Sequence, residues 1–214
     1  MVSPLSVTWL PWLQLLLLAA ACFAFAANPK QLEGVIADFF SARMQRRYTE
    51  AAPSYVASIS IALFRMGVLA LALYLLVYAW VPGLSLSMAV YGIAVGLVLL
   101  VYAIRYVLQE LVQYVFMLGN TFSIAYNHQR RIDICLSLVL YAFLLFQHWL
   151  TPRGLIIGLI LIAAVYALLL FVRAGRTYLV RPLAALYIVI YIATLDFLPA
   201  LVMIAGIYQV ALHV

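Results

Sequence analysis

The run V-A-S-I-S-I-A-L-F-R-M-G-V-L-A-L-A-L-Y-L-L-V-Y-A-W, Val56 to Trp80, carries a single charge, Arg65, in 25 residues. A helix rises about 1.5 Å per residue and a bilayer's hydrocarbon core is about 30 Å thick, so this stretch is long enough to cross it. The rest of the chain has the same character. Of 214 residues, 69% are hydrophobic and 8% charged, and the mean hydropathy is +1.17. A soluble domain is roughly 45–50% apolar and about 25% charged, so the composition specifies an integral membrane protein.

Five further apolar runs are predicted to be helices, at Trp9–Ala27, Leu84–Tyr106, Ile132–Trp149, Leu155–Val172 and Leu183–Leu212. The expected fold is therefore an all-α membrane bundle of about six transmembrane helices, a single domain over residues 1–214. Val81-Pro82-Gly83 and Thr151-Pro152-Arg153-Gly154 carry turn signals and predict tight helical hairpins. Helical character continues past the third span through Val107 to Tyr114, which predicts an extension protruding from the membrane. Gly92 with Gly96 and Gly154 with Gly158 have the GxxxG spacing that allows close helix packing.

The formal charge of +6 sits mostly between the spans, so the basic residues read as topology signals rather than as a nucleic-acid surface. Lys30, Arg43, Arg46 and Arg47 follow the first span, Arg130 and Arg131 the third, and Arg173, Arg176 and Arg181 the fifth; only Arg153 lies in a loop on the other side. The positive-inside rule then makes the odd-numbered loops cytoplasmic and turns both termini outward. Trp9, Trp12, Trp80 and Trp149 fall at the outer interface in this scheme.

Leu13 to Ala21, followed by Ala24-Phe25-Ala26, has features of a cleaved signal peptide. No Lys or Arg precedes the run, and cleavage would invert the charge bias of every later loop, so the segment is expected to remain a span. Between the first two spans, residues 28–55 form a connector whose Gln31 to Ala51 segment is the longest polar stretch. Leu32, Ile36, Phe39 and Phe40 give it a short apolar stripe, and it is expected to be either a surface-lying amphipathic helix or a solvated connector.

Two charges stand well inside spans, away from their ends, where ionisable groups are costly and are functional candidates by default. Asp196 interrupts the last run within Tyr191 to Pro199, Y-I-A-T-L-D-F-L-P. Pro199 removes an amide donor and clashes with the carbonyl of Leu195, while Thr194 can bond locally to the backbone, so the turn beside the carboxylate is loosened. Arg65 lies at a depth within reach of Asp196, and the two are expected to pair. The polar centre is thus Asp196, Arg65, Thr194 and Pro199, either tying helices together or serving a proton or solute path.

A second candidate site is expected at the cytoplasmic face, with Arg105, Glu110, Asn127 and His128; Asp133 is read as part of the adjoining loop and Arg105 as an interfacial side chain. No metal site or cofactor is expected. Cys22 and Cys135 lack CxxC spacing, and no second histidine stands at ligand spacing.

GxxxxGK[ST], HExxH and GxSxG are all missing, so nucleotide hydrolysis and zinc- or serine-dependent hydrolysis lack their minimum residues. Arg173, Arg181 and Pro182 match part of a lipid-phosphatase signature, with no suitably placed histidine to act as nucleophile. No catalytic residue is therefore assigned, and the balance lies against an enzyme.

The ending Y-I-A-T-L-D-F-L-P resembles the tyrosine, leucine, cysteine, small residue, leucine, glutamate, aliphatic, leucine, proline ending of a polytopic membrane family of Bacteroidota known as domain of unknown function 4271. Phe39-Phe40-Ser41-Ala42-Arg43 is similar to that family's basic, aromatic segment after the first span. The resemblance places the family's acidic residue on Asp196 and its proline on Pro199. Ala193 stands where cysteine is usual, which argues against a thiol role. It implies a bacterial inner-membrane location and supplies no activity.

The functional expectation is a non-enzymatic membrane component or accessory subunit of an envelope system. Its partners would be the lipid bilayer and either another membrane protein or a second copy, with no nucleic acid. The alternatives are a small proton-coupled transporter using Asp196 and a lipid-modifying enzyme.

Overall fold

A computed structural model describes residues 9–27, 29, 55–80, 87–116 and 133–180. The sixth predicted span, with Thr194, Asp196 and Pro199, lies outside them, as do the Val81-Pro82-Gly83 turn and nearly all of the polar connector. The described residues are helical almost throughout: α1 is Trp9–Ala27, α2 Tyr55–Trp80, α3 Met88–Phe116, α4 Asp133–Leu145 and α5 Pro152–Val180. Four of these helices, α1, α2, α3 and α5, are long and apolar enough to cross a membrane, and α4 is a shorter apolar helix. The chain is thus an all-helical membrane bundle.

Local sequence sets the helix starts. Ser87 Oγ accepts the Val90 amide at 3.3 Å, a serine N-cap that places the start of α3 four residues later than the apolar pattern suggests. Thr151 Oγ1 accepts the Gly154 amide at 3.1 Å, and Pro152 follows at the first helical position, where its missing N–H costs nothing. A single 3₁₀ turn, Gln147–Trp149, connects α4 to α5 and makes the predicted tight hairpin. At their far ends α3 and α5 each run to 29 residues, about 43 Å, longer than the hydrocarbon core requires. The extension expected past Tyr106 is helical, and that past Val172, expected to be loop, is helical too.

The helices are arranged around α2. Trp9 packs on Tyr74 and Tyr91 with ring centroids 5.7 Å away in each case, and Ala24 shares a small cluster with Ile61 and Ile134. These contacts make α1 antiparallel to α2, and Tyr91 on Tyr74 with Tyr102 on Arg65 makes α3 antiparallel to it as well. In the main core Phe64, Val68, Leu71, Tyr74 and Leu75 of α2 meet Leu10 and Leu17 of α1, Ala94 and Val98 of α3, Leu140 and Leu144 of α4 and Leu155 of α5. Within the described residues 44% of the α2 span is buried, against 11% for α3 and 6% for α5. Their exposed leucines and isoleucines suit a hydrocarbon solvent.

Trp12 and Trp149 are exposed at the end of the bundle where α1 begins and α4 finishes, as interfacial indoles would be. Trp9 is instead partly buried against the core, because Tyr74 and Tyr91 offer it aromatic faces.

The glycines divide by environment. A Cβ on Gly67 would collide with the Leu17 side chain, and one on Gly158 with the Phe143 ring, so both mark close approaches. Gly92 and Gly96 meet nothing within 4 Å among the described residues, so their GxxxG spacing joins no described helices.

Replacing Gly67 by leucine should overfill the α1–α2 contact and cost about 1–3 kcal/mol. Gly92→Ala should be neutral or stabilising by up to about 1 kcal/mol through helix propensity. Thermal unfolding of the purified protein in detergent checks both.

Candidate functional site

The densest polar group in the described structure surrounds one carboxylate, Asp133. Its Oδ2 accepts Arg65 Nη2 at 2.6 Å and its Oδ1 accepts the Tyr166 hydroxyl at 2.8 Å. Arg105 Nη1 stands 3.7 Å from the same Oδ2, completing a second ion pair. Arg65 Nη2 also donates to the Tyr102 hydroxyl at 3.1 Å, with the guanidinium carbon 5.6 Å from that ring's centroid. Arg65 comes from α2, Tyr102 and Arg105 from α3, Asp133 from α4 and Tyr166 from α5. One carboxylate therefore ties four helices together.

The three charged side chains are 9–15% exposed, so the pairs are largely withdrawn from surroundings that would screen them. Removing one partner of such a buried pair costs about 3–5 kcal/mol, because the other charge is left uncompensated. The cluster also lies deep along the helices. Tyr102 and Tyr166 are each 14 residues after the first residue of their helix, and Arg65 is 15 before the last of its own. At about 1.5 Å per residue all three lie some 21–23 Å from the tryptophan-bearing end.

A smaller polar set lies nearer that end. Gln14 Nε2 donates to the Leu144 carbonyl at 3.2 Å, and the Tyr141 hydroxyl donates to the Gln14 carbonyl at 2.8 Å, joining α1 to α4. The Gln147 amide and the Tyr74 hydroxyl are buried without hydrogen-bond partners among the described residues.

Of the residues singled out in the sequence, Arg65 is buried at a polar centre, and its carboxylate partner among the described residues is Asp133. Asp196, Thr194, Pro199, Asn127 and His128 lie outside the described residues. Arg105, expected at the interface, turns inward to Asp133, while Glu110 is exposed and takes no part in the cluster. Asp133 itself, grouped with the loop residues although it stands at the start of the predicted fourth helix, is helical and buried, with Arg65, Arg105 and Tyr166 supplying donors for its oxygens.

The signal for Asp133 was present in the sequence: a lone carboxylate opening an apolar run, the same kind of feature that drew attention to Asp196. Gln14 and Tyr166 carried none, since amides and tyrosines are common in spans and their partners lie far away in sequence.

Among the described residues no three His, Cys, Asp or Glu side chains group as a metal site, and neither Cys22 nor Cys135 is in a disulfide. Fold and site together define a polytopic helical membrane protein with a buried ion-pair centre. The family model for a domain of unknown function, DUF4271, matches residues 11–207, and the chain belongs to that family. No curated protein and no solved structure matches it.

Asp133→Asn should destabilise the protein by about 3–5 kcal/mol, and Tyr166→Phe by about 1.5–3 kcal/mol for loss of a hydrogen bond to a charged group. Because they share a carboxylate, the double variant should fall clearly short of the sum of the two losses. Additive losses in detergent unfolding would contradict the shared-carboxylate geometry.

Proposed function

We infer that this protein is a non-enzymatic component of the bacterial cytoplasmic membrane, an accessory or assembly subunit of an envelope system. The observation that carries this reading is the use made of Asp133. Both of its oxygens accept donors from other helices, and the two arginines that pair with it come from α2 and α3. Such a carboxylate acts as a tie between helices. It fixes the relative positions of α2 to α5 and leaves their outer surfaces to do the recognising.

The apolar outer faces of α3 and α5 give this reading its second support. Ile93, Leu97 and Leu100 on α3 and Ile157, Leu161 and Leu168 on α5 are exposed within the described residues. In a membrane such faces recognise neighbouring helices by shape and small-residue packing. A partner spanning the same bilayer, or a second copy of the chain, is the kind of ligand they fit.

Affinity purification from the native membrane in a mild detergent should recover a stoichiometric membrane-protein partner or a defined oligomer. Consistent recovery of a lone monomer across several mild detergents would remove the basis for an accessory role.

The charge bias between the spans supports both termini facing outward, with the Lys30, Arg43, Arg46 and Arg47 segment in the cytoplasm. A C-terminal reporter that works only outside the cytoplasm should be active, and one that works only inside should be silent.

A further inference from the structure

Three buried polar atoms toward the tryptophan-bearing end of the bundle have no hydrogen-bond partner among the described residues: Oε1 and Nε2 of Gln147 and the hydroxyl of Tyr74. Gln147 is 2% exposed and Tyr74 0%, so neither reaches its surroundings. Gln14 shows what a buried amide does here when the protein supplies its partner. Its Nε2 donates to the carbonyl of Leu144, three residues before Gln147. The turn holding Gln147 does not use that side chain, because its backbone is paired within itself: the Trp149 amide donates to the Phe146 carbonyl at 3.0 Å and the Leu150 amide to the Gln147 carbonyl at 3.2 Å.

The unmet atoms share one layer of the bundle. α1 and α4 are antiparallel, with Ala24 beside Ile134 at one end and Gln14 on Leu144 toward the other. Trp9 is five residues outward of Gln14, and Gln147 is three outward of Leu144. At about 1.5 Å per residue in an α-helix and about 2 Å in a 3₁₀ turn, Gln147 and Trp9 stand within about 3 Å of the same level. The Trp9 ring lies 5.7 Å from that of Tyr74, and Tyr74 belongs to the same apolar cluster as Leu144.

Hydrocarbon offers neither donor nor acceptor, and a buried polar atom left unmet is costly. The amide oxygen needs a donor, the amide nitrogen an acceptor, and the hydroxyl takes either; all are neutral and call for no counterion. Water meets every one of these demands, and buried water is ordinarily held by about three hydrogen bonds to such groups. Its source is close, since Trp149, two residues after Gln147, is 88% exposed at the interface. We propose that Gln147 and Tyr74 line an internal hydration site, in which ordered water joins α2 to the turn between α4 and α5. The water then forms a second polar tie across the bundle, at the opposite end from Asp133.

X-ray radiolysis converts bound water into hydroxyl radicals that oxidise the side chains beside it, so labelling of the full-length protein in mild detergent tests the site. Tyr74 should be oxidised several times faster than Tyr141, which is 5% exposed and whose hydroxyl already donates to the Gln14 carbonyl. Gln147→Leu should slow the oxidation of Tyr74 and leave that of Tyr141 unchanged. Having lost the hydrogen bonds of a hydrated amide, the variant should also melt about 2–6 °C below the wild type.

Equal rates for Tyr74 and Tyr141 in the wild type would overturn the proposal, and that comparison requires no variant to fold. So would an unchanged Tyr74 rate in Gln147→Leu, or a Gln147→Leu melting temperature at or above that of the wild type, the result expected for an amide buried dry.

Discussion

The attraction between Asp133 and the guanidiniums of Arg65 and Arg105 is the interaction on which the described bundle depends. In water a surface pair of this kind contributes little, because solvent screens it and both side chains are as well served apart. Inside a bundle the comparison changes. Each ion has lost its water, so the pair need not be strongly favourable to be decisive; separating it leaves charges that hydrocarbon cannot accommodate. The tie therefore selects one arrangement of α2, α3, α4 and α5, while the apolar contacts among them would tolerate many.

The cost of carrying Arg65 in α2 is met within the same helix. A central arginine opposes insertion by about 2.5–3.5 kcal/mol, while each leucine, isoleucine, valine or phenylalanine favours it by about 0.3–0.6 kcal/mol. Twelve such residues lie between Tyr55 and Trp80, worth about 4–7 kcal/mol, enough for the helix to insert before its partner is in place. Membrane insertion and charge pairing are then separable stages. The order matches the architecture, in which the most buried of the four described spans is also the one that brings the arginine.

Much of the fold was legible in the sequence because the bilayer imposes a length and a composition that local reading can detect. The ends of α1 coincide with its apolar run, and α2 differs from the expected span by one residue. The helix starts of α3 and α5 departed from the apolar pattern where capping chemistry at Ser87 and Thr151 took over. Arg65 was legible as a buried charge for the same reason as the spans, by standing alone in a hydrophobic run. Its partner Asp133 carried a similar signal, a lone carboxylate opening an apolar run, but next to Arg130 and Arg131 it reads as the end of a polar loop.

The sequence by itself determined that this chain crosses a membrane as a bundle of helices, where most of those helices lie and which of them carry charges, because each of these follows from local hydrophobicity, length and turn chemistry. Only the tertiary structure decided that Arg65 and Arg105 converge on Asp133, that Tyr102 and Tyr166 join the cluster, and that among the described residues Gly67 rather than the Gly92 and Gly96 pair marks a close helix approach. Hydrocarbon surroundings reward every apolar face alike, so hydropathy cannot say which faces meet. That choice rests on a few buried hydrogen bonds and ion pairs between residues as far as 130 positions apart in the chain.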